Sequence, residues 1–167
     1  MRTRIAILAL LVAVTSTLSA QESGVSGQGP SFALRAGATV SPDQFHVGFH
    51  VDLGEAAPRL RIRPGAEIGF GSDRTTLVGN IDALYVASTS RTTNILVGGG
   101  LGLGAEWGDR GKDGGLFGAN LIGAVEWGTR ATPHVSAAGG SYLRYLLEVR
   151  VGLADLPELK VTVGLQF

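Results

Sequence analysis

Two stretches of the chain decide its fold: YLRYLLEVRVGL at residues 142–153 and LRIRPGAEIGF at residues 60–70. In both, apolar side chains occupy every second position, and the intervening positions hold charged residues, glycine and an occasional apolar residue. The first stretch places Arg144, Glu148 and Arg150 on one face, while the opposite face carries only apolar and aromatic side chains. A period of two residues predicts a β-strand rather than a helix.

The same alternation continues along the chain from residue 31 and predicts eight strands. The breaks between them are short and rich in Gly, Pro, Asp and Ser, which favours hairpins over crossover connections. We therefore expect an antiparallel meander. The segments 54–59 and 128–141 are interpreted as breaks. The predicted strands are Phe32–Val40, Gln44–Leu53, Leu60–Phe70, Thr76–Ala87, Asn94–Trp107, Leu116–Trp127, Tyr142–Leu153 and Leu159–Phe167.

Charge is confined to one face of these predicted strands. Twelve charged residues fall within them, and a phase can be chosen for every strand that places all twelve on the same face. The strongest support for this pattern comes from the strands at 60–70 and 142–153, which each have three charges in one phase. The twelve are Arg35, Asp52, Arg61, Arg63, Glu67, Asp82, Glu106, Glu126, Arg144, Glu148, Arg150 and Lys160.

Alternation alone does not say which face is outside. A soluble lipocalin-like barrel would turn the apolar face inward, and a membrane barrel inverts this. The apolar face is too bulky for the interior of an eight-stranded barrel, and glycine concentrates on the charged face, where a crowded interior needs it. Aromatic residues also gather near the ends of the apolar face, as in membrane girdles: Phe32, Phe45, Phe70, Tyr85, Trp107, Trp127, Tyr145 and Phe167.

These observations predict an all-β fold, a closed eight-stranded antiparallel up-and-down transmembrane β-barrel. Closure follows because every backbone N–H and C=O group within the hydrocarbon must be paired. The soluble ligand-binding barrel stays open as an alternative.

Length and composition agree with one exported domain. The chain has 167 residues, 14 basic and 14 acidic groups, 26 glycines and no cysteine. Neutral net charge argues against nucleic-acid binding, and the lack of cysteine excludes disulfides and thiolate metal sites. Residues 1–20 combine Arg2 and Arg4, an apolar run and a small-residue end at Ala20, which predicts a cleaved signal peptide. Residues 21–30 are interpreted as a flexible leader and 31–167 as the barrel.

The last nine residues, LKVTVGLQF at 159–167, alternate and end in an aromatic residue. With this terminus, the chain from residue 31 onward resembles the small outer-membrane β-barrels of Gram-negative bacteria, the OmpA-barrel and OmpX-like group. Weaker family-like elements are RIRPG at 61–65 and GNID at 79–82. The resemblance implies an outer-membrane location with both termini in the periplasm. It also implies an assembly signal at Val163, Leu165 and Phe167 that the outer-membrane assembly machinery reads.

The charged face should then fill the lumen. Six positive and six negative charges balance there, and unpaired charges in a narrow interior are costly, so we expect a paired network that His46, His50 and Asn80 join. The expected pairs are cross-strand neighbours along the third, fourth, seventh and eighth predicted strands. A narrow passive channel lined by these charges is the alternative. His46 and His50 lie about 13 Å apart at strand rise, too far to share a metal ion unaided.

Catalysis has weaker support in the sequence. A lipid A-modifying enzyme would need a nucleophile beside a histidine, and Ser41, Asp43 and His46 are close in sequence, although nothing positions Ser41. The glycine-rich run at 98–104 lies within a strand and lacks the Gly-Lys-Ser/Thr ending of a phosphate loop. We therefore expect a monomeric structural component of the envelope, without catalysis, cofactor, metal or nucleic acid, in contact with the outer-membrane bilayer and lipopolysaccharide.

Overall fold

The computed structural model describes residues 30–108, 114–128 and 143–167, and these residues form strands joined by turns. Eight long strands follow the alternating segments of the sequence, and one short strand is added. The strands are β1 (Ser31–Val40), β2 (Gln44–Asp52), β3 (Glu55–Ala57), β4 (Leu60–Gly71), β5 (Arg74–Thr89), β6 (Thr93–Gly108), β7 (Gly114–Gly128), β8 (Arg144–Ala154) and β9 (Leu159–Gln166).

The strands close into a barrel. Each long strand pairs antiparallel with the next along the chain, and β1 pairs with β9. The seam continues to the last residue, because Phe32 N–H donates to Phe167 O over 3.2 Å and Phe167 N–H donates to Phe32 O over 2.8 Å. The prediction of a closed eight-stranded antiparallel barrel is therefore confirmed. We call the end that carries Ser31 and Phe167 the terminal end and the opposite end the loop end.

The prediction that residues 54–59 form a simple break is wrong in part, because this segment contains β3. Gly54 adopts φ 84°, a left-handed conformation that favours glycine, and bends the chain directly after β2. The chain then resumes pairing with β4, with a register shift between Glu55 and Ala57. β3 pairs with β4 as β2 does and extends the same position in the wall. The barrel wall therefore still has eight strand positions.

The apolar face of the strands is outside and the charged face is inside. Leu147 and Val163 are 39% and 57% exposed, whereas Arg63 and Glu148 are each 1% exposed. The predicted orientation is confirmed. The eight aromatic residues assigned to the strand ends are all exposed on the outer face, which Phe117 joins.

The terminal half of the lumen also contains an apolar cluster. β5, β6, β7 and β8 contribute buried apolar side chains to it. The cluster consists of Leu84, Val86, Leu96, Ile122, Ala124 and Leu146.

The segments proposed as signal peptide, 1–20, and as leader, 21–30, lie outside the described residues except for Pro30. So does most of the break at 128–141. Within the described ranges, no helix is long and apolar enough to cross a membrane.

Candidate functional site

The middle of the lumen is filled by a chain of alternating charges from five strands. Arg150 on β8 donates from Nη1 and Nη2 to the two carboxylate oxygens of Asp82 on β5, over 3.0 and 2.6 Å, and from Nε to Glu148 Oε1 over 2.6 Å. Glu148 also accepts from Arg35 Nη1 on β1 at 3.4 Å. Arg35 Nη2 lies 3.3 Å from Glu67 Oε2 on β4, and Lys160 on β9 contacts the same carboxylate. All six side chains are buried.

A second group of charges lies nearer the terminal end, around Glu126 on β7. Glu126 Oε2 accepts from Arg61 Nη1 at 3.1 Å, and Glu126 also pairs with Arg63. Asp52 Oδ2 lies 3.2 Å from Arg63 Nε and 3.4 Å from Arg61 Nη1. Asn94 Nδ2 donates to Glu126 over 3.4 Å. One buried carboxylate thus joins β7 to β4 and β6.

Six of the ion pairs among the described residues reach across the lumen. The expected pairs along the third, fourth, seventh and eighth predicted strands are wrong, because no charged side chain of β4 pairs with β5 and none of β8 pairs with β9 within the described ranges. Pairs between adjacent strands do occur elsewhere, where Asp52 on β2 meets β4 and Arg144 on β8 meets Glu126 on β7. Arg63 and Asp82 are opposite each other on β4 and β5, yet each pairs elsewhere. Arg150 and Lys160, opposite on β8 and β9, have like charges. Long side chains that project into a narrow cylinder meet side chains from the far wall, which explains this choice of partners.

Ten of the twelve predicted charged residues are brought together in buried contacts. Arg144 reaches Glu126 over 3.6 Å from the terminal rim, where its side chain is 22% exposed. The prediction that Glu106 belongs to the lumen network is wrong. Glu106 lies at the loop end and pairs with Arg74 over 3.2 Å, and the side chains of Glu106 and Arg74 are 28% and 47% exposed. Its alternation phase is right, but its position near the strand end places it at the mouth rather than in the network.

The histidines and Asn80 do not join the ionic network as predicted. His46 Nε2 shares a hydrogen bond with Thr162 Oγ1 at 3.0 Å. Among residues 30–108, 114–128 and 143–167, no hydrogen-bond partner reaches the two buried ring nitrogens of His50 or the buried Nδ2 of Asn80. The lumen therefore contains polar groups that no carboxylate satisfies.

The constellation Ser41, Asp43 and His46 is not assembled. Ser41 and Asp43 are exposed in the β1–β2 turn, whereas the His46 ring is buried in the lumen on Thr162. Among residues 30–108, 114–128 and 143–167, no group of three or more His, Asp or Glu side chains has the arrangement of a metal site.

Glycine on the lumen face leaves space for the charges. A Cβ atom on Gly100 would lie 2.1 Å from Asp82 Oδ1. A side chain at this position would displace the carboxylate that Arg150 holds. By contrast, a Cβ atom on Gly123, which is exposed on the outer face, would meet nothing within 4 Å.

The three residues of the proposed assembly signal lie on the outer face of β9. Val163, Leu165 and Phe167 are all exposed there, and they follow the same alternation as the rest of the outer face. Their arrangement presents one apolar stripe at the seam strand, ending at the chain terminus.

One feature of the lumen was missed from the sequence. Leu156, in the β8–β9 turn, is buried with Val78 and Leu116 at the loop end. The only signal for it is an apolar residue between Asp155 and Pro157, where a turn on the surface would carry a polar one.

The comparisons with known proteins concern the fold. The crystal structure of Neisserial surface protein A (NspA) matches with a TM-score of 0.56 and 13% sequence identity, covering 85% of this chain and 98% of that chain. The solution NMR structure of the de novo designed TMB2.3 matches with a TM-score of 0.45 and 10% identity, covering 88% of this chain and 97% of that chain. No family model matches the chain, and no curated protein matches it significantly. The chain is thus similar in fold to the barrel of NspA.

Proposed function

We propose that this chain is an integral outer-membrane β-barrel protein that serves as a structural component of a Gram-negative cell envelope and has no catalytic activity. The observation that carries the proposal is the inverted wall. Large apolar side chains are exposed all around the barrel, and the charged side chains are buried inside. In water this arrangement would expose far more apolar area than a soluble monomer carries. In a bilayer the apolar outer face contacts the lipid tails, and the charged side chains are kept away from them inside the barrel.

The aromatic residues support the same environment. Phe45, Phe70 and Trp107 lie towards the loop end, and Tyr85, Trp127 and Tyr145 towards the terminal end. Between Leu60 and Phe70 on β4, ten residue steps at strand rise and a tilt of about 40° give an apolar height of about 25 Å. This matches the apolar band of outer-membrane barrels.

Export and assembly complete the proposal. Residues 1–20 would act as a cleaved signal peptide, and β9 with Val163, Leu165 and Phe167 would be read by the outer-membrane assembly machinery. We extend the resemblance to the OmpA-barrel and OmpX-like group on these grounds. Monomeric association with the bilayer and lipopolysaccharide follows from the closed barrel, which offers no unpaired strand edge at the seam.

The test is the location and heat-modifiability of the protein expressed in a Gram-negative host. We expect it in the outer-membrane fraction, resistant to high-salt extraction, with a different gel mobility before and after boiling. Release from membranes without detergent would contradict the proposal and favour a soluble carrier.

The assembly signal has its own matched comparison. Phe167→Ser should lower the amount assembled in cells but leave spontaneous folding into lipid vesicles nearly unchanged. Phe32→Ser removes an aromatic side chain at the same end of the barrel, on the strand that pairs with β9, and should not reproduce the defect in cells. Equal defects in both variants would contradict a role in recognition.

A narrow channel is the second candidate, because the lumen is lined by charged groups and by polar atoms, as at His50, that have no partner within the described part of the chain. Planar-bilayer recordings of purified protein separate the two. The structural proposal predicts no discrete conductance steps, because the ion pairs span the lumen. Lipid A of unchanged mass with and without the protein would support the absence of lipid-modifying activity.

A further inference from the structure

The β8–β9 turn carries an apolar side chain into the loop end of the lumen. Leu156 is 8% exposed, although its neighbour Asp155 is exposed. Ala154, directly before the turn, adopts φ 64°, a left-handed conformation that a residue with a Cβ rarely takes. The turn is therefore bent inward at a conformational cost, and the burial of Leu156 offsets it.

The socket for Leu156 is made by two glycines that face each other. Gly102 of β6 and Gly118 of β7 are direct partners in the sheet. A Cβ atom on either would lie 3.0 Å from a Leu156 side-chain atom. A side chain at position 102 would crowd Leu156, and position 118 has to lack one in any case because a Cβ atom there would lie 2.3 Å from Leu153 O. Val78 and Leu116 complete the apolar contact with Leu156.

Backbone hydrogen bonds hold the turn over the mouth. Gly152 N–H donates to Glu158 O over 3.1 Å, and Glu158 N–H donates to Ser41 O in the β1–β2 turn over 3.3 Å. Asn80 lies at the level of the socket, since a Cβ atom on Gly102 would lie 3.1 Å from its Oδ1. The turn is therefore fixed to β8 and to the β1–β2 turn.

We propose that Leu156 is a stopper that closes the loop end of the lumen by apolar contact. The closure is separate from the ionic network, whose residues lie in the middle and towards the terminal end. The two closures differ in chemistry, because the ionic one depends on paired charges and the apolar one on a fitted side chain. The inference deepens the proposed function and rests on it only in requiring a folded barrel.

Thiol accessibility tests the stopper, since the natural chain contains no cysteine. Asn80→Cys places a single thiol in the lumen at the level of the socket, and a small cationic methanethiosulfonate is added to the folded protein. With Leu156 present we expect slow labelling. When Asn80→Cys is combined with Leu156→Gly, we expect the thiol to be labelled about tenfold faster or more. The reason is that the apolar contacts of the Leu156 side chain, which keep the loop end closed, are lost.

Matched variants exclude a general loosening of the barrel. Leu153→Gly removes an exposed leucine from the outer face of β8 and should leave labelling slow, as should Leu156→Met, which keeps an apolar side chain of similar volume. Ser72→Cys, in an exposed turn at the same end, reports reagent access and should label fast throughout.

Two results would overturn the stopper: fast labelling of Asn80→Cys with Leu156 present, or slow labelling that Leu156→Gly does not change. Unchanged heat-modifiable migration in each variant shows that the barrel is folded, so that failure of the stopper is distinguishable from failure of the membrane assignment. If Leu156→Gly does not fold, Leu156→Ala takes its place in the same comparison.

Discussion

Arg150 and Asp82 are separated by 68 positions in the sequence and meet across the lumen in a bidentate ion pair of 3.0 and 2.6 Å. They belong to β8 and β5, which are not neighbours in the sheet. The pair therefore braces the barrel through its interior, where the backbone ladder of the wall does not reach. Both charges are buried, so each depends on the other for its stability inside the cylinder.

Removing one member of this pair should be costly. Asp82→Ala leaves the Arg150 guanidinium with Glu148 alone, and we expect a loss of about 3–5 kcal/mol in the free energy of unfolding. Replacing both residues, Asp82→Leu with Arg150→Leu, should recover part of it, because one positive and one negative charge are removed together and Glu148 keeps Arg35 at 3.4 Å. Urea unfolding in phospholipid vesicles measures the cycle. If the double variant loses as much free energy of unfolding as the Asp82→Leu and Arg150→Leu single variants together, the pair is not coupled.

A matched pair of glutamates distinguishes the buried network from the rim. Glu126→Ala removes the carboxylate shared by Arg61, Arg63 and Arg144, and the expected loss is again about 3–5 kcal/mol. Glu106→Ala breaks only the exposed pair with Arg74 and should cost at most about 1 kcal/mol. Similar unfolding midpoints for the two variants would indicate a wet, open lumen.

Two glycine substitutions should have opposite outcomes. Gly100→Ala brings a methyl group against Asp82 and should destabilise the barrel by about 1–3 kcal/mol through displacement of the ion pair. Gly123→Ala adds a methyl group on the open outer face and should be neutral or stabilising by up to about 1 kcal/mol, because glycine weakens a strand. Thermal or urea unfolding compares them directly, and a loss at Gly123 equal to that at Gly100 would contradict the structure.

The two lumen histidines should also differ. His50→Leu replaces a buried ring that has no hydrogen-bond partner in the described strands and turns, so stability should be nearly unchanged or slightly higher. His46→Leu leaves the Thr162 hydroxyl buried without the ring and should cost about 1–3 kcal/mol. Unfolding of both variants in vesicles is the measurement, and a larger loss for His50 would mean that its ring has a binding role.

The outer face can be tested at its centre. Leu101 is exposed midway along β6, and Leu101→Arg should cost about 2–4 kcal/mol in a bilayer. Thr92→Arg, in the exposed β5–β6 turn, should change little. Folding yield into vesicles compares the two. A tolerated arginine at position 101 would argue that water, not lipid, covers this face.

The sequence predicted what depends on the period of two. The alternation around Arg144, Glu148 and Arg150 placed these residues on the correct side of the wall, because a side chain's face is a local property of a strand. The choice of partner is not local. It depends on the stagger between strands and on side-chain length, so that Arg63 pairs with Glu126 rather than with its sheet neighbour Asp82.

The sequence did not predict how far along a strand a charged residue lies, or which residues of the turns are buried. Glu106 has the right phase but lies at the mouth, where alternation cannot distinguish rim from interior. Leu156 lies in a turn, and its burial depends on Gly102 and Gly118 from two other strands. The bend at Gly54 that allows β3 was visible only as a glycine in a break.

The backbone bonds between Phe32 and Phe167 have a consequence for biogenesis. β1 is the first strand and β9 the last strand of the described residues, so β1 gains its second neighbour only when β9 is in place. Until then the outer edges of β1 and β9 carry unpaired backbone N–H and C=O groups, which can pair with other polypeptide chains. An unclosed chain of this design is therefore open to strand pairing with other chains, and closure of the seam removes both exposed edges at once.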